Sequence, residues 1–422
     1  MQNKIKIKIK KPELTAPAGD WPGLVTAVAS GADSVYFGVK GFSMRNLSGN
    51  FNISELKKVM DYLHAHNKKG YLALNVFIRN EELKKIKTIL TQAKISKVDA
   101  IILWDMAVLE LAKKIKLNIH ISTQASVANF QAFKFYSKLG AKRIILAREC
   151  TLADIRKIIQ EKKIQKIKTQ IECFVHGAMC ISVSGRCFLS SYTSGKSANR
   201  GECLQYCRRE FFINDLDNQG QYLIGENYVL SAKDLCTLEF VDQLIESGIE
   251  SFKIEGRRRA PEYLKVVTQA YRKAIDAYSK GELDKKLKQE LKSQTQAVFN
   301  RGFSEGFYFG APENDRSRGL ENKYEKIYLG QVRKFFKKIS VAEIHLQNEA
   351  LKKGDELLIT GKTTQASFVQ ACEIQQKHTF VDSAAKGEFV GVKVPMAVKP
   401  QDKVFLWLKK TKQREEVNKD EN

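Results

Sequence analysis

No apolar run in this 422-residue chain approaches the roughly 20 residues a membrane-spanning helix needs, and no charged-then-apolar leader opens it. A cytoplasmic protein with no membrane partner is therefore expected, in a reducing compartment where thiols stay free for metal. No Gly-x-Gly-x-x-Gly follows a strand and there is no Gly-Lys-Ser/Thr loop, which argues against Rossmann and P-loop nucleotide sites. His-Glu-x-x-His and Gly-x-Ser-x-Gly are missing too, which removes the familiar zinc-protease and serine-hydrolase signatures. Acidic residues are comparatively scarce, 47 against 71 basic ones, for a formal charge of +24. Such an excess favours a polyanionic partner, with nucleic acid the first candidate, although lysine enrichment is also a plain compositional habit. The arginines are more telling. Arg186, Arg200, Arg208, Arg209 and Arg257 to Arg259 all fall in one region, and guanidinium groups suit phosphate or carboxylate.

What is present is a regular alternation. From Pro12 onward short apolar runs alternate with amphipathic stretches. The strand candidates are Leu14 to Gly19, Ser34 to Gly38, Gly70 to Val76, Ala100 to Trp104, Asn118 to Ser122, Arg143 to Ala147, Thr169 to Phe174 and Ser251 to Glu255. About eight strands separated by helices predict an α/β fold, a (β/α)8-type or TIM-like barrel over residues 1–278, irregular where cysteines are inserted. An open doubly wound sheet is the competing arrangement. Residues 279–323 read as a helical and polar linker. Residues 324–410 change to short strands with turns, a small all-β barrel that would hold RNA or cover the larger domain. Lys4 to Lys10 alternates with period two, as a short strand or a basic arm, and 411–422 reads as a disordered tail.

Five of the eight cysteines, Cys180, Cys187, Cys203, Cys207 and Cys236, lie close together in the sequence. Only Cys203-x-x-x-Cys207 has the pairing typical of zinc knuckles. Well-separated single cysteines suit an iron–sulfur cluster, with zinc or scattered buried thiols as alternatives. The neighbouring Gly177, Gly185 and Gly201 let backbone approach the sulfurs.

Around these cysteines runs the string Glu172-x-Phe174-x-x-Gly177-Ala-Met-Cys180-x-x-x-x-Gly185-x-Cys187-x-Leu-Ser190. It resembles the signature of the collagenase-like peptidase family U32. Pro17-Ala-Gly19, Leu74-Asn75, Asn199-Arg-Gly201, Lys233-Asp-Leu-Cys236 and Lys253-Ile-Glu-Gly-Arg257 add to the resemblance, which covers roughly residues 12–310. The family name implies proteolysis, yet several members are implicated in oxygen-independent hydroxylation, of tRNA uridine, of 23S rRNA cytidine and in the ubiquinone pathway. The resemblance implies a [4Fe-4S] cluster on Cys180, Cys187, Cys203 and Cys236, with Cys207 just outside the ligand set. It also implies prephenate as an anionic oxygen donor, tRNA as partner, and an electron-transfer or paralogous protein as a further one. Length and the C-terminal β segment favour the tRNA branch. Peptide hydrolysis, rRNA hydroxylation and non-catalytic RNA binding are the alternatives.

Candidate catalytic residues are Glu172 and His176 at the end of a barrel strand, and Glu255 and Arg257 at the end of a later one, where catalytic groups usually emerge. Arg45, Asn75, Gln124, Arg148, Arg200 and Lys253 are candidates for holding a dicarboxylate or a base edge. Scaffolding of loops is the plainer reading for several of them, and Arg148-Glu149 reads equally as a surface ion pair. His176 and Cys180 could be taken for a cysteine-protease dyad. A thiol bound to iron is not a free nucleophile, so the two readings exclude each other.

Overall fold

The computed structural model describes residues 10–211, 230–314 and 321–410. The basic opening segment lies almost wholly outside these, and the tail 411–422 entirely so.

Eight parallel strands form the first domain: β1 (Glu13–Pro17), β2 (Ser34–Gly38), β3 (Lys69–Ala73), β4 (Ala100–Leu103), β5 (Ile119–Ile121), β6 (Arg143–Ile145), β7 (Gln170–Gly177) and, after the antiparallel β8 (Asp234–Cys236), β9 (Ser251–Ile254). Each of β1 to β7 pairs with the next, and β9 pairs in parallel with both β7 and β1. The barrel is closed. The competing open sheet is thereby ruled out. These strands are buried on both faces, which is why they read as apolar runs rather than as alternation.

The helices α1 (Trp21–Ala29), α2 (Leu56–Ala65), α3 (Leu83–Ile95), α4 (Met106–Lys114), α5 (Phe130–Lys138), α6 (Leu152–Ile164), the short α7 (Leu189–Ser194), α8 (Val241–Ser247) and α9 (Pro261–Lys280) alternate with the strands. Local chemistry starts several of them. Asp20, Asp105 and Asn129 each accept a backbone N–H of the first turn, and Thr151 with Asp154 forms a reciprocal capping box.

The segment predicted as a linker packs onto the barrel. Helix α10 (Lys285–Thr295) lies along α9, with Lys288 pairing Asp242 at 2.9 Å and Lys292 pairing Glu239 at 2.6 Å. Strand β10 (Phe303–Ser304) then joins β8, and Tyr308 donates its hydroxyl to the Phe174 carbonyl at 2.7 Å. A polar composition did not make this stretch a free connector, because its apolar residues Leu291, Val298 and Tyr308 belong to the barrel's core and Leu287 packs against it.

Beyond Tyr324 the chain forms a curled antiparallel sheet of eight strands with its own apolar core, including Leu329, Ile344, Ile359 and Val392. The long strand Tyr324–Phe336 pairs with both Val341–Leu346 and Lys403–Lys409. One face docks on the barrel: Leu358, Ala366 and Trp407 join the barrel core, Ala366 N–H donates to Thr26 Oγ1 at 3.0 Å, and Lys326 pairs Glu262 at 2.7 Å.

Candidate active site at the barrel mouth

The barrel's interior carries charge where such cores are usually aliphatic. Arg143 Nη1 donates to Glu13 and to Glu172, both at 2.9 Å, and Lys253 Nζ donates to the other Glu172 oxygen at 2.8 Å. Ser251 and Tyr71 complete the set by donating to Glu172 and Glu13. Burial alone would raise the Glu172 pKa, but Lys253 and Arg143 more than offset it and hold the carboxyl down to about 2. Every strong acceptor here is occupied. Glu172 therefore fixes the barrel interior and is not free to move protons, contrary to its expected catalytic role.

Above this layer, at the C-terminal ends of the strands, a cavity of about 120 Å³ opens. Arg45 reaches it from the loop after β2, Asn75 from β3, Gln124 from β5, Arg148 from β6, and Glu255 and Arg257 from β9. Lys253, although paired to Glu172, also lines its floor, with Nζ 3.8 Å from the centre of the Tyr36 ring. Six of the expected binding and catalytic residues thus converge with Lys253 in one place.

Glu255 stands among cations, paired with Arg45 at 3.3 Å and Arg148 at 3.5 Å. Burial pushes its pKa up, and Arg45, Arg148, Arg257 and Lys253 together pull it down to about 2. Three guanidinium groups around a single carboxylate leave the cavity positively charged. Among the described residues, the buried Nε groups of Arg148 and Arg257 have no hydrogen-bond partner, a costly state unless an acceptor is supplied. Asn75 Nδ2 donates to Gln124 Oε1 at 3.2 Å, and its Oδ1 accepts the Met44 N–H at 3.3 Å, so this pair braces the cavity wall.

Two glycines allow the loops to close over it. Gly201 has φ +87°, and a side chain there would strike the Ser43 carbonyl and Asn46, where the Cys203 loop meets the Arg45 loop. Gly177, at φ +109°, lies against the Glu255 backbone.

Four thiols line the same cavity: Cys180, Cys187, Cys203 and Cys207. Burial raises the Cys207 pKa to about 11, with Arg208 opposing and the other three thiols adding to the rise. Arg208 in turn ties this loop to the barrel, donating to Ser231 Oγ at 2.7 Å, to the Ala232 carbonyl at 2.6 Å and to the Met179 carbonyl. Arg258 donates to the Cys203 carbonyl at 3.3 Å.

Cys236 is elsewhere. It sits on β8, buried beside Tyr271, where burial takes its pKa to about 11, and it does not line the cavity. The structure therefore separates Cys236 from the three thiols it was expected to join, and puts Cys207 with them.

Two other expected site residues are also displaced. His176 points away from the cavity, into the layer between β7 and α9, with ring centroids 5.3–6.0 Å from Phe303, Tyr271 and Tyr263. Burial first, then Arg259, lowers its pKa to about 3. A β-bulge between Phe174 and His176 shifts the register of β7 against β9 at this point. Arg200 is held in a two-pronged pair with Glu82 at 2.6 and 2.9 Å and donates to the Phe77 carbonyl, so it is a strut between the cysteine loop and α3. Glu149 does not pair with Arg148; it accepts the Ser184 N–H at 2.5 Å. Arg208 and Arg258, from the arginine group expected near an anionic ligand, line the cavity too. Tyr36 and Tyr206 line it without having been singled out for it, and nothing in the sequence marks them.

The profile of peptidase family U32 matches residues 19–318. The chain belongs to peptidase family U32. It is 43% identical over 94% of its length to an uncharacterized protease of Methanocaldococcus jannaschii, covering 98% of that protein. It is 36% identical to a collagenase of Porphyromonas gingivalis, again over 94% of this chain and 98% of the relative. A third relative, tRNA hydroxylation protein P1 of Bacillus subtilis, is 33% identical over 84% of this chain and 85% of its own length. The names borne within U32 thus divide between peptide and RNA chemistry.

Among the described residues, no three His, Cys, Asp or Glu side chains are grouped as around a single metal ion. A mononuclear zinc would need such a group, with ligands about 2.0–2.3 Å from the metal. Cys180, Cys187, Cys203 and Cys207 line one cavity, and four cysteine thiolates are the donor set an iron–sulfur cluster takes. No described histidine lines the cavity.

Proposed function

We propose that the chain hydroxylates RNA without molecular oxygen, at C5 of the wobble uridine of tRNA, in the cytoplasm. The observation that carries this reading is the convergence, in one cavity, of four thiols and a surplus of guanidinium groups with unpartnered donors. A [4Fe-4S] cluster held by Cys180, Cys187, Cys203 and Cys207 would supply redox or Lewis-acid chemistry there. Arg45, Arg148 and Arg257 bind an anionic oxygen donor, and a dicarboxylate such as prephenate offers the acceptors that the Arg148 and Arg257 Nε groups lack. Glu255 keeps those guanidiniums in place, and Asn75, by holding the Gln124 carbonyl oxygen, turns the Gln124 NH2 group to meet a base edge.

Prephenate gives up its hydroxyl as its ring C–O bond and its ring carboxylate C–C bond break, leaving CO2 and an aromatic 2-oxo acid. That hydroxyl is at the oxidation level of water, so replacing the base C–H by C–OH with it releases one proton and two electrons. The proposal therefore includes an electron-accepting redox protein as partner.

The relatives named protease and collagenase raise peptide hydrolysis as a second reading. The His176 ring and the Cys180 thiol lie on opposite sides of β7's end, one against α9 and one in the cavity, so they form no nucleophile–base pair.

Nucleoside mass spectrometry of tRNA from a deletion strain tests the proposal. Loss of 5-hydroxyuridine derivatives, restored by the wild-type gene, is expected; unchanged nucleosides in a strain without paralogues would overturn it. Arg257→Met is expected to weaken prephenate binding by about 10- to 100-fold in calorimetry, the worth of a charge-assisted hydrogen bond. An unchanged affinity would place the donor elsewhere.

A further inference from the structure

The rim of the cavity carries an unusual concentration of exposed apolar side chains. Phe77, Ile181, Val183, Phe188 and Leu204 stand in or beside the loops that line the mouth and Tyr192 on α7, with Phe188 65% and Tyr192 88% exposed. Phe188 caps the start of α7, Tyr192 follows one turn on, and the rings meet edge to face, their centroids 6.4 Å apart. Cys187 and Leu189, on either side of Phe188, line the cavity, so the pair of rings starts at its edge.

Cations are interleaved with these rings. Arg186 and Lys196 bracket Phe188 and Tyr192 in the sequence and are exposed, as is Arg258 at the lip. On the lip itself, the Arg209 guanidinium lies 4.1 Å from the centre of the Tyr206 ring, and Tyr206 lines the cavity. Exposed rings alternating with cations are how proteins hold unpaired nucleic acid: bases stack on the rings while the backbone follows the charge. Chemistry on a base requires that base to leave its stack.

We propose that Phe188 and Tyr192 form a stacking platform for the nucleotides flanking the target base, which makes an unpaired RNA loop the form of substrate this enzyme accepts. The inference rests on the RNA reading above and goes further, assigning loop selectivity to two residues outside the reaction cavity. The other kind of occupant for such a rim is a protein partner. Interleaved arginine and lysine, in a chain of formal charge +24, favour the polyanion.

The test uses the full chain, purified anaerobically. Fluorescence anisotropy would measure its affinity for an unpaired oligoribonucleotide and for the same strand annealed to its complement, across a salt series. Wild type is expected to prefer the unpaired strand. Phe188→Ala and Tyr192→Ala should each weaken that binding by about 5- to 100-fold without changing the salt slope, and Tyr192→Phe should retain it. Lys196→Ala should instead flatten the salt slope by a little under one unit. Both rings are exposed, so iron content and thermal unfolding should match wild type. Alanine variants that bind as wild type does, a wild type that prefers the duplex, or a rim occupied by a protein that excludes RNA would each overturn the platform. Unchanged tRNA nucleosides in the deletion strain would remove the hydroxylation reading alone, because the binding preference is measured without turnover.

Discussion

Replacing Cys207 by serine is expected to remove most of the iron, sulfide and visible absorbance of the proposed cluster, while Cys236→Ala keeps all three. Cys207 shares a cavity with Cys180, Cys187 and Cys203 and responds electrostatically to each of them. A serine hydroxyl does not supply the thiolate that holds iron. Cys236 does not line that cavity; it is buried on β8, where Tyr271, Lys292, Glu239 and the Leu238 backbone act on it. Its loss trims a buried side chain and should register in thermal unfolding rather than in iron content. Iron and sulfide analysis of anaerobically purified variants decides the matter. Equal iron loss from Cys236→Ala, or full retention by Cys207→Ser, would return the fourth ligand to Cys236.

The second large effect is expected at Glu172, and it is a loss of stability. Glu172→Ala leaves Arg143 and Lys253, both buried, without the carboxylate that each contacts within 3 Å. Breaking a buried ion pair from one side costs about 3–5 kcal/mol, so denaturant or thermal unfolding should shift clearly to milder conditions. The sign with pH follows from the depressed pKa. The contribution is complete above the ordinary carboxyl value of 4.5 and fades as pH falls toward about 2, where the folded carboxyl takes its proton. A Glu172→Ala protein of wild-type stability that has lost only activity would restore the catalytic role and refute the structural one.

Much of this protein is legible before folding is considered. The alternation of apolar runs and amphipathic helices marks eight barrel strands, because parallel strands covered on both faces are mostly apolar, with charge only where it is paired, as at Arg143, Glu172 and Lys253. Residues just past strand ends, Asn75, Gln124, Arg148 and Glu255, meet at the mouth because every parallel strand ends on the same side. His176 shows where that logic stops. A bulge in β7 shifts the register beside it, and no composition announces a bulge. Arg200 shows a second limit, since its claim on a ligand was already met by Glu82, more than a hundred residues away in the chain.

From its residues alone, then, this chain determines an α/β fold of about eight strands with a β appendage, family membership, and a region rich in thiol and guanidinium groups; that the sheet closes into a barrel is decided by β9 pairing with both β7 and β1. Periodicity and composition are local properties, and they carry that far. Only the tertiary structure decides which thiols share a cavity, which buried charges already satisfy one another, and which arginine donors are left without an acceptor. Those are questions of distance between segments remote in sequence, settled by how β7, β8 and β9 register against one another.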